Sequence, residues 1–445
     1  MTKPARGART AVLAGGAFLL CAGAAFADDS GAAPEDWSLH GQATFTDQYH
    51  PAFRSSYRGR NSLDPGSRGD ETLDLTLFAG LRLWDGGEAY FDPEIDQGFG
   101  LSNTLGVAGF PSGEAYKIGS AMPYFRVQRL FLRQTFDLDG QVQQIEPDAN
   151  QLGGTRMANN VVVTLGKLTV TDIFDTNAYA HDPKKDFLNW AIIDAGAFDY
   201  AADSWGYSYG IATEWTQSWW TLRAGLFDLS TIPNEPQLET GFAQFELLVE
   251  AEERHTLWGE DGKVKLLGFL NRGRMGDYND ALQLALVTHS TPSTASVRQY
   301  ASRPGGAINL EQQIDDTLGV FARASLNDGS KEAYEFTEID KSLSMGIALK
   351  GTRWGRQNDT VGIAGEIGDI SSSAQAYFAA GGLGILIGDG RLPHYGPEQI
   401  VETYYSAQLT SWLAASADYQ FIDNPAYNRD RGPVSVLGAR LHAEF

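Results

Sequence analysis

Apolar and polar residues alternate with a period of two along almost the whole chain, and no long apolar run interrupts that pattern. The clearest stretch is LDLTLFAGLRLW, in which Leu73, Leu75, Leu77, Ala79, Leu81 and Leu83 share one face. Asp74, Thr76, Gly80 and Arg82 share the other, with Phe78 as the exception. A helix would scatter both sets around its circumference, whereas a strand separates them. The pattern returns around Trp37–Phe45, Phe245–Ala251 and Leu343–Leu349, and again at Leu437–Phe445, up to the last residue of the chain. Further strands are expected near 87–95, 123–137, 159–170, 204–216, 218–229, 262–273, 316–327, 358–369, 399–410 and 412–422.

The polar faces of these strands carry full charges, and aromatic residues gather near strand ends at Trp37, Trp84, Trp215, Trp219, Trp220, Trp354, Trp412 and Tyr419. Soluble β-sandwiches and propellers also alternate. However, the chain lacks the fixed repeat of about 40 to 50 residues that a propeller would show. Beyond the N-terminus there is also no apolar run of about 18 residues, which a spanning helix would need. A strand escapes that test because only every second residue meets lipid. Lipid offers no hydrogen-bond partners, so a membrane sheet must close on itself. The expected fold is therefore all-β: a transmembrane antiparallel β-barrel of about 16 strands, within a range of about 14 to 18, around an aqueous channel.

The N-terminus reads as a secretory leader. Lys3, Arg6 and Arg9 precede the apolar run AVLAGGAFLLCAGAA, and Ala25-Phe26-Ala27 forms a cleavage site. Residues 1–27 are expected to be removed, leaving 28–445 as one barrel domain. Cys21 is the only cysteine and falls inside the leader, so the mature chain has no disulfide and no thiolate ligand. Net charge is −22 for the chain and −25 without the three leader cations. That acidity argues against a nucleic-acid partner.

Four long connections break the alternation, at 98–122, 139–158, 172–202 and 275–314. Loops of this length are uncommon unless functional, and in a wide barrel one or more should fold inward. Short helices are expected at 277–287 and near 372–381.

At 172–206 the chain reads DIFDTNAYAHDPKKDFLNWAIIDAGAFDYAADSWG, a block that resembles the carbohydrate-selective, OprB-like porins. WSLHGQATFTDQYHPAFRSSYRGRNSL, RLWDGGEAYFDPEIDQGFGLSNTLGVAGFPSGEAYK and VTLGKLTVTDIFDTN are similar to the same family, so the resemblance covers nearly the whole mature chain. It implies a passive outer-membrane channel for mono- or small oligosaccharides in a Gram-negative bacterium, without catalysis or energy coupling. Phe445 resembles the terminal aromatic that the barrel assembly machinery recognises. The implied partners are sugars, outer-membrane lipid and lipopolysaccharide, and the channel could be a monomer or a homo-trimer.

Sugars are neutral, polyhydroxylated and amphipathic. A channel favouring them needs hydrogen-bonding charges and an aromatic platform. Arg82, Glu94, Arg129 and Trp190 are the candidate constriction. Arg82 and Glu94 lie on consecutive strands and would be lateral neighbours, and Trp190 would be the stacking platform. Glu88, Tyr90, Asp92, Arg133, Arg323, Lys350 and Arg440 are further candidates for the lumen wall. No cofactor or metal is expected. The seven His have no H-E-x-x-H spacing, and neither a G-x-S-x-G elbow nor a phosphate-cradling loop is present. The alternatives are a general, cation-leaning porin and a non-conducting surface or adhesion barrel.

Overall fold

The computed structural model describes residues 34–115 and 119–445, so the expected leader at 1–27 lies outside the described residues. Sixteen strands close into one antiparallel barrel. In chain order they are β1 (Trp37–His50), β2 (Arg68–Trp84), β3 (Gly87–Gly98), β4 (Ser120–Asp137), β7 (Asn160–Leu168), β8 (Ser208–Gln217), β9 (Trp220–Asp228) and β10 (Phe245–Leu257). They continue with β11 (Glu260–Met275), β12 (Gln299–Asp315), β13 (Leu318–Asn327), β14 (Lys341–Lys350), β15 (Thr360–Asp369), β16 (Glu398–Gln408), β17 (Leu413–Asp423) and β18 (Val434–Glu444). The remaining two, β5 (Val142–Ile145) and β6 (Gly154–Met157), form a separate hairpin. β1 pairs with β18 to close the ring, with Thr44 opposite His442, and Gly41 and Phe445 exchange backbone hydrogen bonds beside that seam.

Alternation decides which way each side chain points. Leu39, Phe45, Leu77, Leu81, Leu247, Leu266, Ile308, Leu343, Ile363 and Leu441 are all exposed on the outer face, where lipid receives them. Thr44, Thr76, Glu94, Lys265, Asn309, Arg323, Glu402 and Arg440 alternate with them and are buried inside. Connections such as Asp85–Gly86, Trp258–Gly259 and 316–317 are tight at one end. The other end carries the long loops, and in bacterial barrels that end faces the exterior. The exposed tryptophans Trp37, Trp84, Trp215, Trp219, Trp258, Trp354 and Trp412 all lie at the tight-turn, periplasmic end. The opposite rim presents Tyr49, Phe125, Tyr209, Tyr300, Tyr419 and Phe421 instead.

The long connection expected at 275–314 is corrected by the structure. It contains α2 (Tyr278–Thr288) and then all but the last residue of the 17-residue strand β12. Pro304-Gly305-Gly306 hides that strand from a pattern search. In the register Gly305 stands opposite Phe269, whose ring would collide with any Cβ there. The same device recurs where Gly210 faces Phe227, Gly346 faces Phe321 and Gly362 faces Tyr404. Each ring lies folded over a glycine of the neighbouring strand and is buried. The expected helices are present as α2 and α3 (Ser372–Ala379). The 139–158 connection is partly ordered as the β5–β6 hairpin.

Candidate functional site

The segment between β7 and β8, residues 169–207, enters the barrel and is mostly buried there. It has almost no regular structure beyond the short α1 (Trp190–Ile193). A buried irregular segment must find partners for its backbone groups, and the barrel wall supplies them. Glu250 accepts from Asp175 N at 2.8 Å, Glu311 from Ala178 N at 2.8 Å, Glu402 from Asn189 N at 3.0 Å and Glu246 from Ala201 N at 2.7 Å. Arg323 donates to the carbonyls of Ile192 (2.9 Å), Asp175 (3.1 Å) and Ala180 (2.8 Å). Arg440 donates to those of Asp186 and Lys185, both at 2.9 Å. The expected lumen residues Arg323 and Arg440 therefore anchor the loop backbone, while Lys350 ends its strand exposed at the periplasmic rim. A second segment, 106–110, docks on Glu398, which accepts from Gly109 N at 2.7 Å.

These loops fill the lumen on the side of β9–β18. Phe174, Phe198 and Tyr200 of the loop join Phe227, Leu248 and Phe269 of the wall in one apolar cluster. The space left is a cavity of about 850 Å³ against β1–β4, β7 and β8. Its lining runs from His40, Arg156 and Glu444 near the periplasmic end to Asn234, Glu335 and Leu386 in the outer loops.

Two arginines of β4, Arg129 and Arg133, line this passage, and Arg126 stands further along the same strand. Arg129 makes a bidentate pair with Asp172, both contacts at 2.7 Å, and lies 3.9 Å from Asp92. Arg133 donates to the Asn150 carbonyl at 2.7 Å, and Asn150 Nδ2 donates to Asp92 at 2.8 Å. Residues 148–152 thus reach into the lumen from the periplasmic side. Arg126 pairs with Asp203 at 3.0 Å and lies 3.3 Å over the Trp205 ring. Strict alternation would place Arg126 on the lipid face. A β-bulge leaves Gln128 as an extra residue between Val127 and Arg129, so Arg126, Gln128 and Arg129 all turn inward. That shift is why Arg126 escaped the sequence reading.

Aromatic rings line the same cavity. Trp190 stacks on Phe110 (4.9 Å between centroids) and lies 4.5 Å from Phe336 and 5.6 Å from Tyr200. Tyr207 lies 5.1 Å from the Arg129 guanidinium. His181 and Asp194 of the loop face each other at 3.5 Å. Burial opposes the imidazolium, but Asp194 outweighs it and holds the His181 pKa above its ordinary value.

Of the sequence candidates, Glu94, Arg129 and Trp190 line the cavity. Arg82 does not. It pairs with Glu88 at 3.3 Å and donates to the carbonyls of Glu35 (2.9 Å) and Gly153 (3.3 Å), clamping the periplasmic rim. Arg82 and Glu94 are not neighbours, which corrects the expectation. The tight turn at Asp85–Gly86 fixes the register, so Arg82 faces Glu88 and Glu94 faces Thr76. Asp172, Phe110, Phe336 and Asn150 were missed because each comes from an irregular segment, where no period marks direction.

A closed barrel with a lipid-facing apolar belt and a polar, loop-narrowed passage defines a passive channel of the outer membrane. The chain belongs to the OprB family of carbohydrate-selective porins, whose family profile matches residues 60–445. The high-pH structure of OprB from Pseudomonas putida is similar over 92% of this chain and 94% of that one, at 16% identity and a TM-score of 0.68. The outer-membrane channel DcaP of Acinetobacter baumannii overlaps more loosely, with 11% identity, 94% and 99% coverage and a TM-score of 0.49. Among curated proteins no sequence matches.

Proposed function

We propose that the cavity beside β4 is a sugar-selective constriction, in which Arg129, Arg133 and Asp172 hydrogen-bond hydroxyls while Trp190 and its ring neighbours present an apolar face. The observation that carries this reading is the shared cavity itself. Arginine–carboxylate pairs and an aromatic cluster border one passage of about 850 Å³. Each of these guanidinium groups is already matched to a carboxylate or a carbonyl, so the wall offers a solute both donors and acceptors in fixed positions. A neutral polyol exchanges water hydrogen bonds for these at small cost, and its C–H face lies against the rings. The selectivity rests on Arg129 and Trp190, with Glu94 deeper in the same wall. Arg82 acts only by holding the rim.

Liposome flux tests the reading. Glucose, a disaccharide and an uncharged non-sugar of equal size are compared for wild type, Arg129→Ala and Trp190→Ala. Faster sugar passage that is lost in either variant supports it. Equal rates for all solutes in the wild type would leave a general porin. Carboxylates outnumber cations along the described lining of the cavity, so for ions the same channel is expected to prefer cations.

A further inference from the structure

The connection from β4 to β7, residues 138–159, is the longest at the periplasmic end, where Asp85–Gly86, 218–219, Trp258–Gly259 and 316–317 are tight turns. It does not stay in the periplasm. The loop joining β5 to β6 turns back into the lumen and is fastened there. Gly153 N donates to Glu35 Oε2 at 2.8 Å, and the Gly153 carbonyl accepts from Glu35 N at 3.0 Å and from Arg82 at 3.3 Å. Leu152 is buried beside Tyr90, whose hydroxyl accepts from Leu152 N at 3.2 Å. Gly80, opposite Tyr90, leaves them room: a Cβ there would stand 3.0 Å from the Tyr90 ring and 3.3 Å from Leu152 Cδ2. Asn150 takes the left-handed conformation, with φ 57°. Its carbonyl accepts from Arg133 at 2.7 Å while its Nδ2 donates to Asp92 at 2.8 Å.

The hairpin thereby repeats, on the exit side, the chemistry that stands around Arg129. Arg129 and Arg133 share the inner face of β4, with backbones about 13 Å apart. Phe131 lies between them, stacked on Tyr90 with 4.9 Å between centroids, and lines the cavity. Asn150 and Arg156 of the hairpin line the same space, and the Arg156 Nε has no hydrogen-bond partner among the described residues. A single pyranose held at Arg129 and Trp190 leaves these groups unused, whereas a chain of two or three units reaches both places. The second contact is then intramolecular, and it adds affinity without a second loss of translational freedom. We infer that Phe131, Arg133, Asn150 and Arg156 form a second sugar station on the periplasmic side, which fits the passage to short oligosaccharides more than to single sugars. The inference rests on the constriction proposed above and makes Asn150 and Arg156 the residues that set chain-length preference.

Ion-current blockade of the purified protein in planar bilayers by glucose, maltose and maltotriose measures this. In the wild type the apparent affinity is expected to rise about tenfold from glucose to maltotriose. The variant N150G/R156Q removes the two side chains and keeps the backbone at 150, whose conformation glycine adopts freely. It should hold glucose affinity within about twofold of wild type and reduce the maltotriose gain to about twofold. Heat-modifiable electrophoretic mobility establishes that the barrel has folded. If the double variant does not fold, R156Q alone is expected to cut the gain to about fivefold. A wild-type gain in the folded variants, or no gain with chain length in the wild type, would overturn the second station and leave the constriction standing. An equal loss for glucose and maltotriose would make the hairpin a support for Arg129 and overturn the station as well. If no sugar blocks the wild-type current, the constriction itself fails and this inference falls with it.

Discussion

Arg129 is the residue on which the passage turns. Its guanidinium is held in a plane by Asp172 and cannot swing freely, so it meets a passing solute in one orientation. Arg129→Lys keeps the charge but loses the fork. It should reduce sugar flux nearly as far as Arg129→Ala while leaving the ion reversal potential close to wild type, and Arg129→Ala should shift that potential towards cations. Planar-bilayer recording together with liposome flux separates the two effects. His181 titrates in the same space. Its folded pKa is raised above 6.5 by Asp194, so its charge, and the stability of that pair, are fully present below pH 6.5 and lost as pH rises through the higher folded value. Cation preference should therefore increase on raising the pH above 6.5, and His181→Gln should flatten that rise. Individual wall residues were legible where alternation was unbroken, as for Glu94 and Arg129. They were misplaced where direction depended on something other than parity. The bulge at Gln128 hid Arg126, and the turn at Asp85–Gly86 separates Arg82 from Glu94 although both lie on the inner faces of adjacent strands.

At the level of strands and loops, two devices do most of the specifying. Gly–aromatic pairs lock register: a ring over a glycine fits only when the two are opposite, and a slip by one residue would turn the ring to the lipid. Gly305→Val should destabilise the barrel by about 1–3 kcal/mol through overpacking against Phe269. Gly305→Val combined with Phe269→Ala should cost less than the two changes summed. Urea-induced unfolding in detergent or lipid would measure the cycle. The second device is the wall-to-loop anchoring. Arg323→Met leaves the carbonyls of Ile192, Asp175 and Ala180 without their buried donor. A loss of about 3–5 kcal/mol is expected from such an unpaired site, together with a larger and noisier single-channel conductance as the segment loosens. Unchanged conductance would mean that the apolar cluster holds the loop unaided. The sequence pattern showed nearly every strand because lipid on one side and water or packed loop on the other enforce a period of two. It missed β12 because a proline and two glycines carry no facial signal. It could not show which loop enters, because the partners of 169–207 come from strands far away in the chain.

For the whole molecule, the lumen is asymmetric: one side is packed with loop and the other left open along β4. The route is therefore set by the filling of the barrel more than by its circumference. The outer surface has its own asymmetry. The exposed indoles stand at the periplasmic rim and the phenolic and phenyl rings at the other. Among the described residues, Trp190 and Trp205 are the only buried tryptophans, and both lie in the lumen. Intrinsic fluorescence is thus a natural ruler for which leaflet the barrel has reached. In vesicles with quencher-labelled lipids restricted to one leaflet, emission should dim when the labelled leaflet is the one at the tight turns and persist when it is the other. Insertion direction could then be followed in real time without attaching a dye.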